Sequence, residues 1–92
     1  MALSPKIKQQ LKARAHHLKP IVLLGQHGLT DAVLKEIDIA LTDHELIKVK
    51  YATLDRNGRQ EAFSSMCASL KADCVQLIGN IAILYRKNEE EK

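Results

Sequence analysis

Tryptophan is absent from the sequence, and the aromatic side chains are Phe63, Tyr51 and Tyr85 alone. A chain that recognises its ligand mainly by stacking needs exposed planar side chains. With 3% aromatics shared between core and surface, stacking is expected to contribute little here. The core is therefore expected to consist of Ile, Leu, Val and Ala, and the 46% hydrophobic content supplies enough of them for one domain of 92 residues.

Long apolar runs are also missing. None exceeds about five residues, against the ~18 that a membrane-spanning helix requires, and Met1 to Gln10 contains no signal-peptide hydrophobic region. A cytoplasmic protein without a membrane partner is expected. Cysteine is scarce: Cys67 and Cys74 stand seven apart with no His or Cys at metal-ligand spacing, so they read as two reduced structural thiols and no metal is expected. His44-Glu45 opens like a zincin motif, but Lys48 occupies the place of the second histidine ligand. The chain offers no nucleophile with a base, no paired carboxylates, no Walker A loop and no G-x-G-x-x-G at recognisable spacing. An enzyme, a cofactor and a small-molecule substrate are accordingly not expected.

Acidic residues are missing from one third of the chain. Residues 1–30 carry Lys6, Lys8, Lys12, Arg14 and Lys19 and no Asp or Glu, while the overall net charge is only +3. Such a local excess is the electrostatic footprint of a polyanion binder, and equally of a solvated helix face.

Ser4-Pro5 reads as an N-cap and first helical residue, and Ile7, Leu11, Ala15 and Leu18 recur at helical spacing, which predicts a first helix from Pro5 to Leu18. Lys19-Pro20 ends it. Ile21 to Leu24 does not alternate, which predicts a strand covered on both faces near the middle of a sheet. Thr30 is placed to cap a second helix with Val33, Leu34, Ile37, Ala40 and Leu41 inward. Leu46 to Ala52 alternates, with Ile47, Val49 and Tyr51 on one face and Lys48 and Lys50 on the other. Asp55 to Arg59 reads as a turn, followed by a third helix to Ala72 that buries Ala62, Phe63, Met66, Cys67 and Leu70. Cys74 to Ile78 and Ile81 to Lys87 flank Gly79-Asn80, a two-residue turn that specifies an antiparallel hairpin.

The fold class is thus α/β (α+β): α-β-α-β-α-β-β, an open-faced sandwich with a four-stranded mixed sheet, parallel where helices connect strands. Residues 2–87 form one domain, and 88–92, with Glu89-Glu90-Glu91, form an acidic tail expected to be disordered.

Two of the four glycines fall in Gly25-Gln26-His27-Gly28, between the first strand and the second helix. Glycines there can adopt positive φ and let a ligand approach the backbone, next to the unpaired N–H groups of a helix N-terminus. The other reading is a strand-to-helix turn. Asp31, in the first turn of that helix, suits the helix dipole better than it suits an anion. Arg56 and Arg59 fall at a helix start, where positive charge is unfavourable, and point to a nonlocal partner.

The loop is similar to the G-x-x-G clamp of KH domains. Leu18-Lys19-Pro20, Ile21-Val22-Leu23-Leu24-Gly25, Gly28-Leu29-Thr30, His44-Glu45-Leu46-Ile47-Lys48-Val49-Lys50, Gly79-Asn80 and Leu84-Tyr85-Arg86 together resemble the CRM domain, the chloroplast RNA splicing and ribosome maturation family, in its bacterial stand-alone YhbY-like form. The resemblance implies a fold like the C-terminal domain of translation initiation factor three. It also implies RNA binding through the loop and adjacent basic surface, and association with ribosomal RNA or the precursor large ribosomal subunit. Carried onto this chain, the loop is Gly25, Gln26, His27 and Gly28, without the basic residue that KH loops often hold between the glycines. Lys6, Lys8, Lys12, Arg14 and Lys19 are candidate phosphate contacts, as are Lys48, Lys50 and, from the family pattern, Arg86. Lys48 and Lys50 count for less, because their face need not adjoin the loop. A monomer is expected. The alternative is a protein-interaction module that docks its basic first helix on an acidic ribosomal or assembly partner.

Overall fold

The computed structural model describes residues 4–25, 28–52 and 55–87. The acidic tail and residues 2 and 3 of the expected domain lie outside that set. The order is α1 (Pro5–Ala15), β1 (Val22–Leu24), α2 (Asp31–His44), β2 (Leu46–Tyr51), α3 (Arg56–Leu70), β3 (Asp73–Ile78) and β4 (Ile81–Tyr85). This is the α-β-α-β-α-β-β order expected, in one mixed sheet with strand order β1-β2-β4-β3.

Each helix starts where a side chain can take an orphaned N–H. Ser4 Oγ accepts from the Ile7 amide at 3.2 Å, with Pro5 in the first position, where a missing N–H costs nothing. Thr30 Oγ1 accepts from Val33 at 3.2 Å. Asp55 Oδ1 accepts from Gly58 at 2.7 Å, so the segment expected as a turn is the capped first turn of α3. Its Asn57 and Gly58 look like turn residues, but the cap outweighs them. α1 stops at Ala15 rather than Leu18: the Leu18 amide folds back onto the Ala15 carbonyl at 2.9 Å as the chain approaches Pro20, before which helical backbone is disfavoured. α3 ends at Leu70 on Lys71 in left-handed conformation, with the Ala72 amide bonded to the Cys67 carbonyl at 2.9 Å.

β1 runs parallel to β2, and β4 is antiparallel to both β2 and β3. Gly79, at φ 56°, makes the hairpin turn. One face of the sheet carries Val22, Leu24, Ile47, Val49, Tyr51, Ala82 and Leu84 against Ile37 and Leu41 of α2 and Phe63, Met66 and Cys67 of α3. This is the main core. On the other face Leu11 and Ala15 of α1 close a smaller cluster over Leu46, Val75 and Ile83. The sandwich is therefore only partly open, since α1 lies across the second face.

Two strands depart from expectation. β1 is an edge strand, not a central one: Val22 and Leu24 are buried, while Ile21 and Leu23 are 48% and 58% exposed on the α1 side. Unbroken apolarity suggested two covered faces, but only one is covered. β3 carries a bulge between Cys74 and Gln76, so Val75 and Gln76 both serve the α1 side. The extra residue breaks the period of two.

Candidate nucleic-acid interface

The glycine loop leaves the end of β1, where the Ala52 amide bonds to the Leu24 carbonyl at 2.9 Å and extends the pairing with β2. The Gly28 amide donates to the Gly25 carbonyl at 3.0 Å. Gln26 and His27 lie outside the described residues. Of the two loop glycines, Gly28 has positive φ, 72°. A Cβ there would meet nothing within 4 Å, so the demand for glycine is conformational rather than steric. With the Gly28 N–H bonded to Gly25, the amides offered outward are those of the first turn of α2, at Asp31 and Ala32, which helix geometry leaves unpaired. The exposed Asp31 stands among them.

Register puts Lys50 opposite Leu23 on β1, two residues from Gly25. The lysine face of β2 therefore does adjoin the loop. Lys48 is half-buried on the same face, and its ammonium donates to the Leu18 carbonyl at 3.0 Å. That bond ties the end of α1 down onto the sheet. Because Leu11 and Ala15 point inward, Lys12 and Arg14 fall on opposite flanks of α1. Lys12 lines a cleft with His16, Lys48, Gln76 and Ile83. Arg14 lines another with Lys19, Leu18, Ile21 and His44. Lys6 is exposed and Lys8 half-buried in the first turn of α1, and neither lines these clefts.

Arg86 belongs to a different environment. Its guanidinium meets Asp38 Oδ1 at 2.7 Å, donates to the Asp38 and Leu70 carbonyls at 3.0 and 3.1 Å, and reaches Thr42 Oγ1 at 3.0 Å. It joins the end of β4 to α2 and to the end of α3, on the side of the sheet away from α1. The family resemblance implied Arg86 as an RNA contact; in the structure both terminal nitrogens of its guanidinium are bonded within the fold. Arg59 has the nonlocal partner its position called for, the Gly79 carbonyl at 3.1 Å. Arg56 and Arg59 share a cleft with Gln60, Leu77 and Gly79 at the hairpin turn. Helix-dipole reasoning was the signal for them, though not for that location.

The aromatics are largely withdrawn from the surface. Tyr51 is buried, its hydroxyl donates to the Arg59 carbonyl at 3.1 Å, and its pKa is pushed up to about 12, first by burial and then by the neighbouring Cys67 thiol. Phe63 is in the main core and Tyr85 packs beside the smaller cluster. Cys67 and Cys74 are free thiols; burial first, and then a hydrogen bond with Cys74, push the Cys67 thiol well above the usual range and away from nucleophile chemistry. Among the described residues no group of three or more metal-ligating side chains occurs, and no helix is long and apolar enough to cross a membrane.

Comparison with known proteins fits this geometry. The model of the CRS1/YhbY (CRM) domain matches residues 3–86. The chain belongs to that family. This CRM domain is 53% identical over 90 residues to the "RNA-binding protein" of Haemophilus influenzae, covering 98% of this chain and 91% of the relative. It is 48% identical over 88 residues to the Pseudomonas aeruginosa protein named "Probable RNA-binding protein PA4753", covering 96% and 85%. In fold it is similar to the solution structure of SAV1595 from Staphylococcus aureus, with a TM-score of 0.85, 31% identity, and 98% and 94% of the two chains covered.

Proposed function

We propose that this CRM domain binds RNA through the Gly25–Gly28 loop and the basic surface beside it, and that its target is ribosomal RNA in the precursor large subunit during assembly. It acts as a monomer in the cytoplasm and performs no chemistry on the RNA. The names of the relatives support RNA as the ligand. The ribosomal target rests on the family resemblance. One observation carries the choice of surface: Lys50 pairs with Leu23 beside the loop, so a basic strip runs from the loop through Lys50 and Lys48 to Lys12 on α1. With the aromatics largely in the core, binding is expected to be electrostatic and backbone-directed.

The test is a salt titration of RNA affinity, with an expected log-log slope of about −0.7 for each single-strand phosphate engaged. Salt-independent affinity would sink the proposal. Gly28→Asp places a carboxylate in the loop and costs about 1 to 2 kcal/mol at positive φ, with open space for the side chain. If that variant folds and binds RNA unchanged, the loop is only a turn. Crosslinking in cell extract, followed by sequencing of the attached RNA, identifies the target. Association with ribosomal particles that survives nuclease and high salt would instead favour docking of α1 on an acidic protein.

A further inference from the structure

A cleft of about 310 Å³ opens where the end of α1, the approach to β1 and the junction of α2 with β2 meet. It lies at the other end of β1 from the glycine loop. Arg14, Lys19 and His44 line it, and Leu18 and Ile21 supply apolar wall that is 38% and 48% exposed. No carboxylate is among its lining residues.

Three properties coincide there. The cations suit phosphate, the uncovered Leu18 and Ile21 suit an apolar face, and two planar groups are present, the His44 imidazole and the Arg14 guanidinium. An unstacked nucleotide has the matching properties, since bases stack on histidine and arginine planes as well as on larger aromatics. The chain's Phe and Tyr rings are largely taken by the core, so planar surface of this kind matters more here. A carboxylate-rich peptide would use the cations and leave the apolar wall and the planes idle. From Ile21 to Gly25 the strand spans about 13 Å, a gap that a few nucleotides of extended RNA bridge. Leu23, 58% exposed, lies between the two ends.

We infer that this cleft is a second RNA contact, holding one unstacked nucleotide of the same single strand whose backbone lies on the Gly25–Gly28 loop. The inference rests on the RNA-binding reading above. It adds His44, Leu18 and Ile21 to the binding surface and requires a single-stranded segment rather than a continuous duplex.

The experiment titrates the 15N-labelled full chain with a uridine tetramer and a uridine octamer. The tetramer, about the length a G-x-x-G clamp covers, is expected to shift the Gly25 and Gly28 amides. The octamer is expected to shift Lys19, Ile21 and His44 as well and to bind about tenfold tighter, the second contact being made intramolecularly. The double variant Arg14→Ala, Lys19→Ala removes two exposed side chains; with its fold confirmed by its unperturbed core resonances, it should keep the tetramer shifts and lose the octamer's advantage. An octamer that binds no tighter than the tetramer, or an advantage that survives in the double variant, overturns the inference and leaves the loop reading intact. If neither oligomer shifts the loop or the cleft, the RNA reading itself fails. If a glutamate oligopeptide shifts the cleft amides as strongly as the octamer does, the cleft is a protein-docking site.

Discussion

The two faces of the sheet are built differently. Toward α2 and α3 the side chains of β1, β2 and β4 are apolar and sealed, and the charged group that secures this side, Arg86, is held by Asp38, Thr42 and the Leu70 carbonyl. Toward α1 a small cluster holds the helix in place, while Lys48, Lys50, Ile21 and Leu23 surround it half-buried or exposed. One face holds the fold and the other presents charge. The division teaches how a domain of this size can spare a surface for a polyanion: stability is concentrated on one side, where burial per residue is greatest.

Substitutions on the two faces should therefore separate stability from binding. The largest effect is expected from Leu41→Ala in the main core, where truncation of a fully buried side chain costs about 3 kcal/mol in chemical denaturation. RNA affinity of the folded fraction should not change; a parallel loss would show that the faces are not separate. Next comes alkaline pH. Tyr51 holds its proton to about pH 12 in the fold against the usual 10, so the folded state binds more protons than the unfolded one in that window. Its contribution, on the order of 2 kcal/mol, is complete below pH 10 and is lost as pH rises toward 12. Denaturation at pH 9 and 11.5 should therefore show a smaller drop for Tyr51→Phe than for the parent chain.

Arg86→Ala should cost about 1 to 2 kcal/mol, because the hydrogen bonds are charge-assisted but only partly shielded from water. Its RNA salt slope should stay that of the parent. A shallower slope would return Arg86 to the binding surface. The smallest change in stability, within about 0.5 kcal/mol, is expected for Lys12→Ala. Its salt slope should be shallower by about 0.7, the mark of one lost phosphate contact.

Much of this could be read locally. Ser4 and Thr30 cap the helices they were expected to cap, Gly79-Asn80 turns the hairpin, and Ile47, Val49 and Tyr51 face the core as their alternation requires. These signals act over a few residues, so the sequence carries them directly. Ile21 to Leu24 misleads because apolarity does not report which neighbour covers a strand. Asp55 to Arg59 misleads because a helix cap and a turn use the same residue types. Lys50 beside the loop depends on the β1–β2 register, and Arg86 with Asp38 is a pairing across 48 positions. No short-range pattern encodes either.

By itself, then, the sequence determined the elements, their caps, the hairpin, the residues of the main core and the basic bias of the segment before the glycine loop. Only the tertiary structure decided that β1 lies at the sheet edge, that α1 crosses the second face with a basic cleft on each flank, and which of the basic side chains are held inside the fold. The reason is range: periodicity and capping are settled by neighbours along the chain, whereas strand order and the fate of a charged side chain are settled by groups that folding alone brings together.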